Sequence, residues 1–173
     1  CIIFVTNMDD DHASYRELLL KLEKEFGRKI APFHLPIREN EKFVGFVNVV
    51  KMAGRRFTVN SDYEECEIPE YSQKNLGIAR EALMEAVAET SEEYMERYFS
   101  GDEFTQEEIS SALREHVIEG NIVPVMLGSG INAQGAKMVL QGIDKYFPTP
   151  DRYECIGVDV STGERFTAKY NDN

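Results

Sequence analysis

The sequence predicts an α/β fold in which parallel strands with following helices carry an inserted α+β section with a small antiparallel sheet. Three features predict it. A strand-like run, Cys1-Ile2-Ile3-Phe4-Val5, ends in Thr6-Asn7-Met8-Asp9 and leads into a segment of helical spacing. A second apolar run, Ile122 to Leu127, ends in Gly128-Ser129-Gly130 and leads into another. Between them, short β-branched and aromatic runs broken by polar residues and glycines are followed by long helical spacing.

Taken in order, Asp10-Asp11-His12-Ala13-Ser14 is acidic and cap-forming. Tyr15, Leu18, Leu19, Leu22 and Phe26 then recur at helical spacing until Gly27 closes the turn. Lys29 to Ile37, Lys42 to Val50 and Arg55 to Val59 read as strands of an antiparallel meander. Pro32 and Pro36 confine the first of these to an edge, because proline offers no N–H to a neighbour. One long helix is expected from Asn75 to Phe99, with Leu76, Leu83, Val87, Tyr94 and Tyr98 on one face and Glu81, Glu85, Glu89, Glu92 and Glu96 on the other. Gly101 ends it. Thr105-Gln106-Glu107-Glu108 has the capping-box pattern and opens a helix through Val117 to a stop at Gly120. After the strand at Ile122 to Leu127, a helix is expected from about Ala133 to Tyr146, then a linker at Phe147-Pro148-Thr149-Pro150. From Tyr153 the pattern turns to β, with a turn at Ser161-Thr162-Gly163.

At 173 residues the chain has room for one ordinary domain, or one domain and a piece of another. Hydrophobic residues make up 42%, yet no apolar run approaches the roughly 20 residues that cross a bilayer. With no basic-then-apolar leader either, the expectation is a soluble, cytoplasmic protein without membrane contact. The net charge of −12, from 31 acidic and 19 basic residues, disfavours free DNA or RNA as a ligand and suits a basic protein partner. Cys1, Cys66 and Cys155 are odd in number and form no C-x-x-C, so neither a disulfide framework nor a zinc site is expected. The chain opens without Met, directly inside a strand of buried type, and therefore reads as a fragment of something longer.

Asp9 and the Gly128-Ser129-Gly130 turn have the chemistry of two halves of a guanine pocket. A carboxylate at a strand's C-terminal end can accept both the N1–H and the exocyclic amine of guanine, a pair of donors adenine does not present. A tight Ser-Gly turn can aim backbone N–H groups at O6, and ligands of open α/β sheets sit beyond the carboxyl ends of the strands. The plainer alternative for Asp9 is a helix N-cap. Asp10 and Asp11 lack the Gly and terminal Glu of a calcium loop and read as a solvated helix start. Ser129 is no nucleophile on this pattern: Gly-Ser-Gly is not G-x-S-x-G, and His12, His34 and His116 bear no sequence relation to it. No H-E-x-x-H occurs, and His116 reads as a helix boundary residue, so no metal site is expected.

With these residues in view, the chain resembles translational GTPases of the elongation factor G type. The resemblance runs through Ile3-Phe4-Val5-Thr6-Asn7-Met8-Asp9, Pro32-Phe33-His34-Leu35-Pro36-Ile37, Phe43-Val44-Gly45-Phe46-Val47-Asn48 and Ala86-Val87-Ala88-Glu89-Thr90-Ser91-Glu92-Glu93. It continues through Ile118-Glu119-Gly120-Asn121-Ile122-Val123-Pro124-Val125, Gly128-Ser129-Gly130 and Tyr146-Phe147-Pro148-Thr149-Pro150. It implies that residues 1–28 and 121–150 are the C-terminal part of a Ras-like P-loop GTPase domain. Residues 29–120 would be its insert subdomain, and residues 151–173 the start of the following β-barrel domain. It also implies GTP or GDP as ligand, with Thr6, Asn7, Asp9, Ser129 and Gly130 at the base.

Departures accompany the matches. The family's base pattern is Asn or Thr, then Lys, any residue, Asp; here Asn7 stands in place of the Lys. Ser129-Gly130 replaces the usual Ser-Ala. Neither G-x-x-x-x-G-K-[ST] nor the metal-binding strand residues occur, so phosphates and Mg²⁺ would be held by parts of the parent outside these residues, and this segment alone is not expected to hydrolyse GTP. The resemblance further implies the ribosome as partner, with Glu81, Glu85 and Glu89 facing a basic surface of the stalk protein; a solvated helix face is the plainer reading. Two other parents share the plan: a degenerate paralogue that docks on the ribosome without turnover, and a ribosomal-protection protein of the tetracycline-resistance type.

Overall fold

A computed structural model describes residues 1–27, 29–59, 62–149, 152 and 154–168. The opening apolar run forms β1 (Ile3–Val5). Ser14 then caps α1 (Tyr15–Phe26), its hydroxyl accepting the Glu17 N–H, and Gly27, at φ 79°, closes the helix as expected. The strand predicted at Ile122 to Leu127 is β7 (Val123–Leu127), every residue of it buried.

β7 is the centre of a three-stranded parallel sheet of order β1-β7-β2. Ile3 pairs with Val125 and Val5 with Leu127, so the carboxyl ends of β1 and β7 finish side by side. Pro124 sits in this central strand without breaking it. The Val123 N–H donates to Lys29 O and the Gly128 N–H to Val5 O. By strand alternation the Pro124 nitrogen faces the β1 side before that ladder begins.

The third strand corrects the sequence reading. Lys29 to Ile37 is not one antiparallel strand: β2 (Ile30–Pro32) joins β7 in parallel, and β3 (His34–Glu39) turns into a second sheet. Buried Phe33 is the joint, donating its N–H to Val125 O at 3.1 Å and accepting from Val49 N at 2.9 Å. The second sheet is an antiparallel meander of order β3-β4-β5-β6, with β4 (Lys42–Asn48), β5 (Ala53–Phe57) and β6 (Tyr63–Cys66). Its fourth strand was not read from the sequence. Pro32 and Pro36 do lie on edge strands, one in each sheet.

The long helix expected at Asn75 to Phe99 is two helices, α2 (Glu70–Ala88) and α3 (Glu92–Ser100). The break has a local cause. Ser91 adopts an extended backbone and its hydroxyl accepts the Tyr94 N–H, while Thr90 turns its hydroxyl back onto Val87 O at 2.6 Å. α2 buries Leu76, Leu83 and Val87 as its spacing predicts; full burial of one such aliphatic side chain is worth roughly 1.5–3 kcal/mol. Thr105 and Glu108 make the expected capping box on α4 (Gln106–Glu119), which Gly120 ends at φ 81°. Glu108 also forms a two-pronged ion pair with Arg97 of α3, at 2.7 and 3.2 Å, tying the two helices together. That hydrogen bond lowers the Glu108 pKa to about 2. α5 (Ala136–Tyr146) starts three residues later than expected, and β8 (Cys155–Val158) and β9 (Arg165–Ala168) form an exposed hairpin.

Candidate functional site

The two stretches singled out from the sequence meet. Because β1 and β7 are parallel neighbours, their exits lie against each other and hydrogen-bond directly. The Met8 N–H donates to Gly128 O at 3.1 Å, and the Gly130 N–H donates to Thr6 Oγ1 at 3.3 Å. Thr6 Oγ1 in turn donates to Asn7 Oδ1 at 3.4 Å, so Thr6 is the bridge between the halves. Asn7 takes the left-handed conformation, φ 60°, which asparagine tolerates better than most residues.

Asp9 is half-buried, and its Oδ1 is buried with no hydrogen-bond partner among the described residues. It is not the helix cap; Ser14 is, and Asp10 Oδ1 accepts the His12 N–H at 2.8 Å. A buried carboxylate oxygen without a donor is costly unless a ligand or water supplies one.

Gly128 is required by space. A Cβ there would lie 2.2 Å from Gln134 O and 2.7 Å from the Phe4 ring, and the first of these is backbone that has nowhere to go. Ser129 is buried; its N–H donates to Gln134 O at 2.9 Å and its Oγ accepts from Asn132 N at 3.3 Å. The expectation that both Ser129 and Gly130 offer free backbone donors therefore needs refinement. The Ser129 N–H is engaged by Gln134, whereas the Gly130 N–H makes only a long bond to a rotatable hydroxyl. Thr6, Asn7 and Gly130 are exposed, and neither the cleft beside α1 and α2 nor the one beside α5 is lined by these residues or by Asp9 or Ser129. The arrangement is an open rim rather than a cavity.

Sequence reasoning missed Arg38. From β3 its Nη2 donates to Met8 O at 2.9 Å, Ala13 O at 3.3 Å and Asp10 O at 3.4 Å, and its Nη1 donates to Glu41 O at 2.6 Å. One guanidinium thus holds three carbonyls of the loop around Asp9, and the Tyr71 hydroxyl clamps the Arg38 backbone from α2. An arginine in an antiparallel strand carries no local signal of such a role.

The acidic residues fall elsewhere. Glu81 and Glu85 are exposed on α2, Glu89 is its C-cap, and Glu92 and Glu96 belong to α3, so the five do not form one continuous helical stripe. Glu81 and Glu85 face Tyr98; burial first, then these two carboxylates, raise the pKa of its hydroxyl. Among the described residues no group of His, Cys, Asp and Glu is arranged to hold a metal ion, and no helix is long and apolar enough to cross a membrane.

A parallel sheet with flanking helices, set beside a separate antiparallel sheet, defines a mixed α/β protein. No protein-family model matches the chain. The elongation factor G proteins of Chlamydia trachomatis serovars D and A are each 35% identical to it over 176 residues, covering 97% of this chain and 25% of the relative. A protein from Thermus thermophilus, known from its crystal structure, shares the fold with a TM-score of 0.77 and 29% identity, covering 96% of this chain and 26% of that one. Over nearly its whole length the chain is similar to elongation factor G, and it spans about a quarter of the length of the curated relatives it matches.

Proposed function

We propose that this segment is the guanine-reading part of a GTPase that acts on the ribosome, in translocation or a related step of translation. The observation that carries the reading is the unpartnered, buried Oδ1 of Asp9, at a rim where the exits of β1 and β7 are hydrogen-bonded to each other. Asp9 accepts the N1–H and amine of the base, Thr6 and Asn7 brace the rim, and the Gly130 N–H, backed by the Ser129 turn, reaches O6. Residues 1–28 and 121–150 would then be the C-terminal part of the GTP-binding domain, 29–120 an insert subdomain and 151–173 the opening of a further β domain. On this reading β2 contributes a strand of the insert to the domain's sheet. The half-exposed edge of β1, with Phe4 at 36% exposure, suits additional strands in the whole protein. GTP or GDP is the ligand, and its phosphates and Mg²⁺ belong to other parts of that protein.

The test is titration of a fluorescent guanine nucleotide into the whole protein and its Asp9→Asn variant. Loss of the charge-assisted pair weakens binding by about 2 kcal/mol, roughly thirtyfold. Equal affinity overturns the assignment. A second reading, a ribosome-docking relative that does not turn nucleotide over, is favoured by Asn7 standing where the family's Lys is expected. An Asn7→Lys variant that binds nucleotide markedly tighter supports it.

The partner face is the other half of the proposal. Glu81, Glu85 and Glu89 are exposed on or at the end of α2 and suit a basic surface such as the ribosomal stalk protein, with charge mainly accelerating encounter. Retention of stalk protein by the Glu85→Lys, Glu89→Lys double variant, unchanged from wild type, returns these residues to a solvated helix face.

A further inference from the structure

We propose that a second site, a cleft of about 170 Å³ between α5 and the antiparallel sheet, binds a small oxyanion, a phosphate or a carboxylate. It is independent of the base site, sharing no residue with the Asp9 rim. Its polar lining includes His34, Asn48, Lys51, Tyr63, Gln141 and Lys145, and no carboxylate lines it among the described residues. That composition runs against the chain's net charge of −12.

The donors are left over by the packing. Gln141 Oε1 accepts the Tyr63 hydroxyl at 2.9 Å, which leaves the Gln141 amide N–H groups without an acceptor among the described residues. Asn48 Oδ1 accepts the Lys51 N–H at 2.8 Å, and the Asn48 amide N–H groups likewise have no acceptor among the described residues. Lys145 Nζ spends one donor on Ser110 Oγ at 3.0 Å, and neither Lys145 nor Lys51 has an ion-pair partner among the described residues. Burial, and after it the like charge of Lys51, hold the Lys145 pKa below its ordinary value, so the two ammonium groups sense each other. His34 is 4% exposed, its ring tilted on Phe46 at 4.6 Å, and its Nδ1 has no partner among the described residues.

Two cations and several amide donors line one cleft with no protein acceptor among the described residues, and an oxyanion satisfies them together. The volume suits a single phosphate or carboxylate group, not a nucleotide. α5 delivers Gln141 and Lys145 one turn apart, the spacing that puts both on one helix face.

The experiment is an NMR titration of the full chain with inorganic phosphate and, separately, acetate, at constant ionic strength against sodium chloride. The side-chain signals of Asn48, Gln141, Lys51 and Lys145 are the readout. Saturable shifts with either anion support the site, and the preferred anion tells a phosphate source from a carboxylate source. Lys51→Gln, at an exposed position, weakens binding about tenfold while the far-ultraviolet circular dichroism stays that of the wild type. Shifts that never saturate, that chloride reproduces, or that Lys51→Gln leaves unchanged overturn it.

Discussion

The rim at the strand exits and the acidic surface of α2 are both made of polar groups at the protein surface, yet they are held in different ways. At the rim, residues more than a hundred positions apart are joined by backbone hydrogen bonds, and a guanidinium from another sheet pins the loop. On α2 the carboxylates of Glu81 and Glu85 stand in solvent with no ion-pair partner among the described residues. The first arrangement fixes atoms to within a hydrogen bond, as the proposed discrimination of one base from another requires. The second supplies a field, which steers and is screened by salt.

The comparison breaks first at Gly128. Gly128→Ala forces a Cβ into the Gln134 carbonyl and is expected to destabilise the fold by about 3 kcal/mol in urea denaturation; a loss under about 0.5 kcal/mol would mean that the rim is loosely held. Arg38→Met comes next, removing charged donors from three carbonyls of the loop around Asp9, with an expected loss of about 2 kcal/mol and faster amide exchange confined to residues 8–13. Exchange that rises uniformly across the chain instead would assign Arg38 a general packing role.

Acid distinguishes the buried interior from both surfaces. Burial pushes the His34 pKa down to about 3, below the roughly 6.5 of an unfolded chain. The unfolded state therefore binds the extra proton between those values, and the stability that neutral His34 provides is present above about pH 6.5 and lost as pH falls toward 3. NMR of the imidazole should find it still neutral in folded protein at about pH 5; a protonated ring there contradicts the burial.

Smaller effects belong to the surfaces. Glu85→Lys with Glu89→Lys should change stability by no more than about 0.5 kcal/mol while slowing association with a basic partner several-fold at low salt. A loss of stability instead would show that these carboxylates hold α2 against α3. Gly130→Ala is the mildest change. Its Cβ meets only Thr6 Oγ1, at 3.5 Å, so melting should show no loss and a gain of up to about 1 kcal/mol.

Much of this was legible in local pattern. The ends of α1 and α4 were marked by Ser14, Gly27, Thr105 and Gly120, because caps and left-handed glycines answer to the backbone groups of their own turn. The division at Thr90-Ser91 was hidden, since the apolar and acidic spacings run on through a break that one serine hydroxyl creates. At the candidate site, Asp9 and Ser129 were visible from the chemistry of two strand exits, but Arg38 was not.

The sequence by itself determined where apolar runs would be buried, where helices would start and stop, and which carboxylate would stand at a strand's end, because these depend on periodicity and on groups a few residues apart. Only the tertiary structure decided that Ile30–Pro32 pairs in parallel with β7 rather than joining the meander. It also decided that the Asp9 loop hangs from Arg38 and that Lys51 and Lys145 share a cleft. Pairing partner and long-range contact are settled by which surfaces bury one another, and no single stretch of chain encodes that choice.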